Sequence, residues 1–177
     1  MQLAEFYRKF YKDLHLDIRA NFGKYSGFRC CFYFEYRFFA LFRLTSNLYH
    51  FYGDCLVTKI INRVYVRHQR QCSVELPYKL SARAPIRIPH LNTIVINENT
   101  IIGKCVTILP MVTIGNVKSK GLNNCAVIGS YCSLGSGCKI IGPVSIPAFC
   151  EIGANAVVSK SLHQRGVYVG IPVKKIK

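Results

Sequence analysis

Acid–base groups are scarce in the second half of this chain, and that scarcity limits the chemistry it can do. Of its five histidines only His90 and His163 lie beyond residue 74, and from residue 70 onward Glu75, Glu98 and Glu151 are the only carboxylates. An imidazole ordinarily titrates near neutral pH, so a histidine among polar neighbours is suited to take a proton from an alcohol. His90 stands in such a place, between Pro89 and the pair Asn92–Thr93. A carboxylate bound to one ring nitrogen leaves the other free for a substrate. Glu75 precedes His90 by somewhat less than one turn of the repeat described below, so the two can meet at adjacent corners or faces. The alternatives are a histidine with a structural part only and a glutamate solvated at an edge. A zinc site needs about three protein ligands. Two histidines, with cysteines directed inward one at a time, argue against a metal. No G-x-G-x-x-G or GKS/T pattern is present, so neither common phosphate loop is expected.

The framework that must hold these groups is legible as a period. From about Ile96 to Val158 an aliphatic residue returns every sixth position: Ile102, Ile108 and Ile114, then Leu122, Ile128, Leu134, Ile140, Ile146, Ile152 and Val158, with a slip of two residues between the runs. A helix repeats near 3.6 and a strand at 2, so six matches neither alone. It fits a chain wound into a triangular coil with one short strand per side. Four residues after each anchor stands a small residue, among them Val106, Val112, Ala126, Cys132, Cys138, Val144, Cys150 and Ala156, as a narrow interior requires. One coil cannot bury its own face and must stack on its neighbours, which defines a parallel β-helix; a sandwich of short strands is the alternative. Gly103, Gly115, Gly129, Gly135 and Gly153 directly follow inward aliphatics, where a missing Cβ helps the chain turn.

At 177 residues the chain supports one domain with a small appended segment. Residues 1–73 read as an α-helical region, 74–165 as the β-helix with an inserted loop at about 116–124, and 166–177 as a tail. Helical spacing runs to about residue 22 with Phe6, Phe10, Leu14 and Ile18 on one stripe, again over about 28–52, and over about 55–70. The second helix is rich in aromatic residues, but Arg29, Glu35, Arg37 and Arg43 interrupt it too often for a membrane span. Its rings pack on neighbouring elements or a subunit, or else contact a membrane peripherally. Pro77, Pro85 and Pro89 exclude a helix from the lead-in to the coil.

The net charge of +16 points to anionic partners, whether nucleic acid, an acidic membrane or a phosphorylated small molecule, unless it is a solvated basic surface. Nothing in the chain matches a nucleic-acid recognition motif, and no nucleic-acid partner is expected. Nine cysteines without a C-x-x-C pair, and charged residues Glu5, Arg8 and Lys9 where a secretory signal would be apolar, read as reduced thiols in a cytoplasmic protein.

Asn62-Arg63-Val64, Ile94-Val95-Ile96, Val112-Thr113-Ile114-Gly115 and Gly170-Ile171-Pro172-Val173-Lys174, with the aromatic helix, carry a likeness over roughly residues 32–176. They resemble the left-handed β-helix, or hexapeptide-repeat, acyltransferases, in particular the serine acetyltransferases and their relatives that O-acetylate bacterial polysaccharides. The resemblance implies a mainly β fold, a left-handed parallel β-helix behind a small helical region. It implies acetyl-CoA as donor, a homotrimer with the donor between subunits, and His90 as the base paired with Glu75, a glutamate where the family has aspartate. Gly135 and Gly153 match backbone positions along the donor groove, and Gly170, Pro172 and Lys174 match the tail that closes over the nucleotide. Backbone amides near Gly115 are expected at the oxyanion.

Departures from the serine enzymes matter as much. Pro89 replaces the aspartate before the histidine, and Asn124 and Cys125 replace the arginine–histidine pair that helps hold serine. A carboxylate is gripped by a cation and an ammonium by an acid, and these groups are missing. The expectation is therefore an O-acetyltransferase acting on a sugar hydroxyl in bacterial surface polysaccharide synthesis, with Asn92, Asn124 and Cys125 facing the acceptor. It is expected in the cytoplasm, or at the inner face of the membrane through the aromatic helix. Serine acetylation and a non-catalytic trimeric scaffold at a membrane are the rivals.

Overall fold

The computed structural model describes residues 2–23, 33–117 and 125–177. Three helices, α1 (Gln2–Phe22), α2 (Phe34–Tyr52) and α3 (Leu56–Gln71), precede a prism of short strands. Its first face holds β1 (Val74–Glu75), β4 (Ile94–Ile96), β7 (Thr113–Gly115), β10 (Lys139–Ile141) and β13 (Val157–Val158), in that order. The second holds β2 (Ser81–Ala82), β5 (Ile101–Ile102), β8 (Val127–Ile128) and β11 (Ser145–Ile146). The third holds β3 (Ile86–Arg87), β6 (Val106–Ile108), β9 (Ser133–Leu134), β12 (Cys150–Ile152), β14 (Gly166–Val169) and β15 (Lys174–Lys175). Every pairing is parallel except that of β14 with β15. This is the left-handed parallel β-helix expected from the six-residue period.

The period works because each side holds two inward positions. The described anchors from Ile102 to Val158 and the small residues from Val106 to Ala156 are all buried. Each fully buried aliphatic contributes roughly 1.5–3 kcal/mol relative to exposure. The beat also extends backwards, since Leu76 and Ile88 are buried and Ala82 packs on the core at the same interval.

β5 pairs directly with β8, placing Ile102 beside Ile128, so among the described residues Ile114 and Ile128 are consecutive anchors. The insertion is eight residues longer than the regular interval, which counts as one extra hexad plus a slip of two. Leu122 lies outside the described residues.

Four of the five glycines after the anchors, Gly115 excepted, serve close approach rather than turning. A Cβ on Gly135 would stand 2.6 Å from the Ile152 carbonyl oxygen, and one on Gly129 would stand 2.4 Å from the Ala148 nitrogen. The left-handed corners are made by Ser73, Thr93, Cys105, Met111, Tyr131, Phe149 and Asn155, with φ between 49° and 63°.

The helices close the open end of the prism. Asp17 of α1 accepts from the Ile86 amide at 2.9 Å, and four residues on Asn21 accepts from Ile88 at 2.7 Å and donates to the Ile86 carbonyl at 2.9 Å. These bonds pair the backbone of β3, whose edge would otherwise be bare. On the first face Tyr65 of α3 donates to the Leu76 carbonyl and Gln69 accepts from its amide. Arg43 of α2 is buried against Asp17 and also donates to Ala82. Phe38, Phe39 and Phe42 are buried too, so packing, not lipid, accounts for these rings of the aromatic helix. Exposed apolar side chains lie instead on α1, at Leu3, Tyr7 and Tyr11, and on α3, at Leu56, Val57, Ile60 and Val64. Among the described residues no helix is long and apolar enough to cross a membrane.

Candidate active site

The edge between the third and first faces gathers most of the residues singled out by sequence. It runs as a chain of backbone bonds from coil to coil. Thr93 donates to Cys72 at 3.3 Å, Met111 to Asn92 at 3.2 Å, Gly137 to Pro110 at 2.9 Å, and Asn155 to Ser136 at 2.9 Å. Val157 then donates to Gly170 at 3.1 Å. Each coil turns this edge on one left-handed residue, in order Ser73, Thr93, Met111, Gly137 and Asn155. His90 and Asn92 thus share an edge with Gly135, Gly153 and Gly170, spread over about 19 Å at roughly 4.8 Å per coil.

His90 is exposed at the corner that delivers β3 into β4. That corner is longer than its successors. Val74 pairs with Ile94, twenty residues on, whereas Ser133 pairs with Glu151 after eighteen. The extra residues give His90 room to stand outside the wall. Glu75 points outward from β1, with Val95 as its Cα partner. It lines a cavity of about 760 Å³ with Asn62, Gln69 and Arg70 of α3, and with Tyr78, Thr93 and Val95. Leu91 and Asn92 line a neighbouring cavity of about 440 Å³, and Ser73 borders both. The corner that carries His90 thus leads into β4, the strand paired with that of Glu75, while His90 itself lines neither cavity. Among the described residues no hydrogen bond or ion pair joins the two side chains.

Thr93 stands out within this corner. It is the one β-branched residue among the left-handed corner residues, at φ 49°, and its hydroxyl donates to Asn92 Oδ1 at 2.7 Å. A left-handed L-residue costs roughly 1–2 kcal/mol, and strain of this kind collects where a site needs it.

The tail also reaches this edge. Gly170, with φ 90°, turns the chain so that Val173 donates to Val157 at 3.1 Å and β15 folds back on β14, bringing Val169 opposite Lys174. Pro172 is exposed in that turn. Lys139, on β10, adds a cation by donating to the Met111 carbonyl at 2.8 Å.

Gly115 and Cys125 are not part of this edge. They flank the insertion on the edge between the first and second faces, where the Cys125 thiol donates to Asn97 Oδ1 at 3.0 Å and loss of solvent, then the Glu98 charge, raise its pKa. A Cβ on Gly115 would meet only the Ile141 side chain, at 3.7 Å, so packing does not demand glycine there. Asn124 lies outside the described residues. Within one chain the width of the first face separates this set from His90. Sequence reasoning missed Arg70 and Tyr78, which only the fold brings to the cavity of Glu75; the proximity of Arg70 to Glu75 in the chain was the one available signal. Among the described residues no cluster of three or more metal-ligating side chains occurs.

No protein-family profile matches the chain. It is 37% identical over 89 residues to the serine acetyltransferase of Mycobacterium tuberculosis, an alignment covering 50% of this chain and 39% of that protein. It is 29% identical over 161 residues to the putative colanic acid biosynthesis acetyltransferase WcaB of Escherichia coli K12, covering 87% of this chain and 93% of that protein. A solved serine acetyltransferase in complex with CoA superposes with a TM-score of 0.73 at 20% identity, covering 99% of this chain and 74% of that one. The chain spans about two-fifths of the length of the bacterial serine acetyltransferase above, and nearly all of the colanic acid protein. In sequence it is thus similar to serine acetyltransferases and to a putative colanic acid biosynthesis acetyltransferase, and it shares the left-handed parallel β-helix fold of the solved serine acetyltransferase.

Proposed function

We propose that this protein is an acetyl-CoA-dependent O-acetyltransferase acting on a sugar hydroxyl in bacterial surface polysaccharide synthesis. The observation that carries this reading is the single edge shared by His90, Asn92, Gly135, Gly153 and Gly170, with the tail folded back beside it. His90 removes the proton of the acceptor hydroxyl, and the freed oxygen attacks the thioester carbonyl directly. His90 then returns the proton to the departing thiolate, leaving an acetyl ester and CoA. Glu75 orients the imidazole and balances its charge while the proton is held. Lys139 and Lys174 suit the phosphates of the donor, and the close-packed backbone at Gly135 and Gly153 suits its extended arm.

The separation of Gly115 and Cys125 from His90 fits a homotrimer in which the insertion edge of one copy meets the histidine edge of the next. Backbone amides near Gly115, with Asn124 and Cys125, then complete the acceptor side of the cleft. A cytoplasmic site, at the inner face of a membrane where precursors are assembled, agrees with this chemistry. Support for a sugar over serine comes from two sides. The relative matched over most of its length is a putative polysaccharide biosynthesis enzyme, and neither Asn124 nor Cys125 can pair with a carboxylate as a cation would. The likeness to a serine acetyltransferase keeps serine as the second reading. CoA release measured with serine against a panel of capsular and exopolysaccharide oligosaccharides separates them. Turnover with serine above every saccharide would reject the sugar.

A further inference from the structure

Away from the histidine edge, α1, α2 and the second face of the first coil enclose another cavity, of about 390 Å³. Its walls carry Lys9, Lys12, Arg43, Arg83 and Lys104, against Asp13 as the one carboxylate among the described lining residues. Two of these cations are accounted for. Lys9 donates to Asp13 at 2.9 Å and to Asn47 Oδ1 at 2.7 Å, while Arg43 is held by Asp17 and Ala82. Lys12, Arg83 and Lys104 make no side-chain hydrogen bond or ion pair among the described residues. Arg83 and Lys104 follow β2 and β5, so they repeat one coil apart on the same edge.

A second observation is independent of charge. Asn47 is only 2% exposed and lines this cavity, yet its Nδ2 is buried with no acceptor. The Lys9 bond fixes the amide orientation, because an ammonium must face the oxygen and not the NH₂. Buried donors are nearly always paired, and a cluster of like charges repels itself unless an anion joins it. Burial first, with the Lys9 charge also acting and a bond to the Leu80 backbone opposing, holds His50 below its ordinary pKa on the same wall.

We propose that this cavity binds a phosphate-class anion, a phosphomonoester or pyrophosphate group carried by a soluble molecule or a lipid headgroup. Its volume falls within the roughly 300–1,000 Å³ of small-molecule sites. The site is distinct from the acetyl-transfer edge and does not depend on the sugar reading.

Calorimetric titration with inorganic pyrophosphate, and co-sedimentation with vesicles of phosphatidic acid, whose headgroup is a phosphomonoester, or of phosphatidylcholine, test it. Arg83 and Lys104 are exposed, so R83E/K104E should fold; K12E provides an independent reversal on α1. Binding of pyrophosphate to the wild type, at least tenfold weaker in R83E/K104E and in K12E with CoA affinity unchanged, establishes a site for a soluble phosphate. Binding only to phosphatidic acid vesicles, lost in the same variants, assigns it to a lipid headgroup. Absence of binding in both arms, or binding undiminished by both reversals, overturns it.

Discussion

Two edges of the same prism differ in how they break the six-residue beat. The edge between the third and first faces repeats one hydrogen-bonded, left-handed corner per coil and departs from it only by a slightly longer turn, which carries His90. The edge between the first and second faces opens into the segment between Gly115 and Cys125, and among the described residues it shows no comparable ladder of left-handed corners. The first is rigid because each corner is bonded to those above and below. It can therefore hold a base at fixed height over a long donor. The second carries its insertion without breaking the pairing of β5 with β8, so a change of length there leaves the stack in register. Chemistry and acceptor choice can thus be carried by different edges.

The largest expected effect tests that division directly. His90→Ala should lower kcat by on the order of 10³ while the circular dichroism spectrum and oligomeric state stay unchanged, as loss of a general base generally costs 10²–10⁴. Glu75→Gln should cost less, with KM for acetyl-CoA unchanged. Cys125→Ser on the other edge should shift the acceptor KM by roughly a few-fold and leave kcat intact. Equal losses from His90→Ala and Cys125→Ser would remove the distinction.

Stability should separate the edges next. Gly135→Ala places a methyl group where the Ile152 carbonyl already stands 2.6 Å away, whereas Gly115→Ala meets only a side-chain methyl at 3.7 Å. Overpacking of this kind costs roughly 1–3 kcal/mol, and the Gly115 change should remain within about 0.5 kcal/mol. Urea unfolding of the two variants reads the difference, and similar midpoints would contradict it.

This contrast also marks how far the residues could be read without the fold. The inward columns were legible because burial on a flat side imposes one aliphatic and one small residue per hexad. Leu122, which keeps the beat only after a slip of two, lies outside the described residues. The left-handed corners were not legible, since Met111, Tyr131 and Phe149 have no local preference for that backbone. The cap formed by Asp17 and Asn21 was hidden for another reason, as its partners Ile86 and Ile88 are far along the chain. His90 and Glu75 were singled out by type, position and resemblance, but whether their side chains touch depends on rotamers that no spacing encodes.

Thr93 sharpens the comparison within the histidine edge. If its strained backbone is retained for the site, Thr93→Gly should stabilise the fold by about 1 kcal/mol through relief of the left-handed penalty while weakening turnover. Chemical denaturation and steady-state rates measured on one preparation decide. Higher stability with full activity would make Thr93 merely tolerated.

A further effect concerns the interior that both edges share. Loss of solvent pushes the Cys132 thiol up to about 11 and the Cys138 thiol to about 12, the latter despite the opposing Lys139 charge. An unfolded thiol titrates near 8.5–9. Between that value and the folded ones the native state retains protons that the unfolded chain has lost. Stability from these thiols is therefore fully present below about pH 8.5 and declines as pH rises, by at most about 1.4 kcal/mol per unit for each. Replacing both with alanine, a residue already used at the same inward position by Ala126 and Ala156, should flatten the fall in stability between pH 9 and 11. Cys55, whose thiol is drawn below its ordinary value chiefly by the Thr58 hydroxyl, should be alkylated well before either. Equal labelling rates for Cys55 and Cys138 in the folded protein would mean that the prism opens far more readily than its packed columns imply.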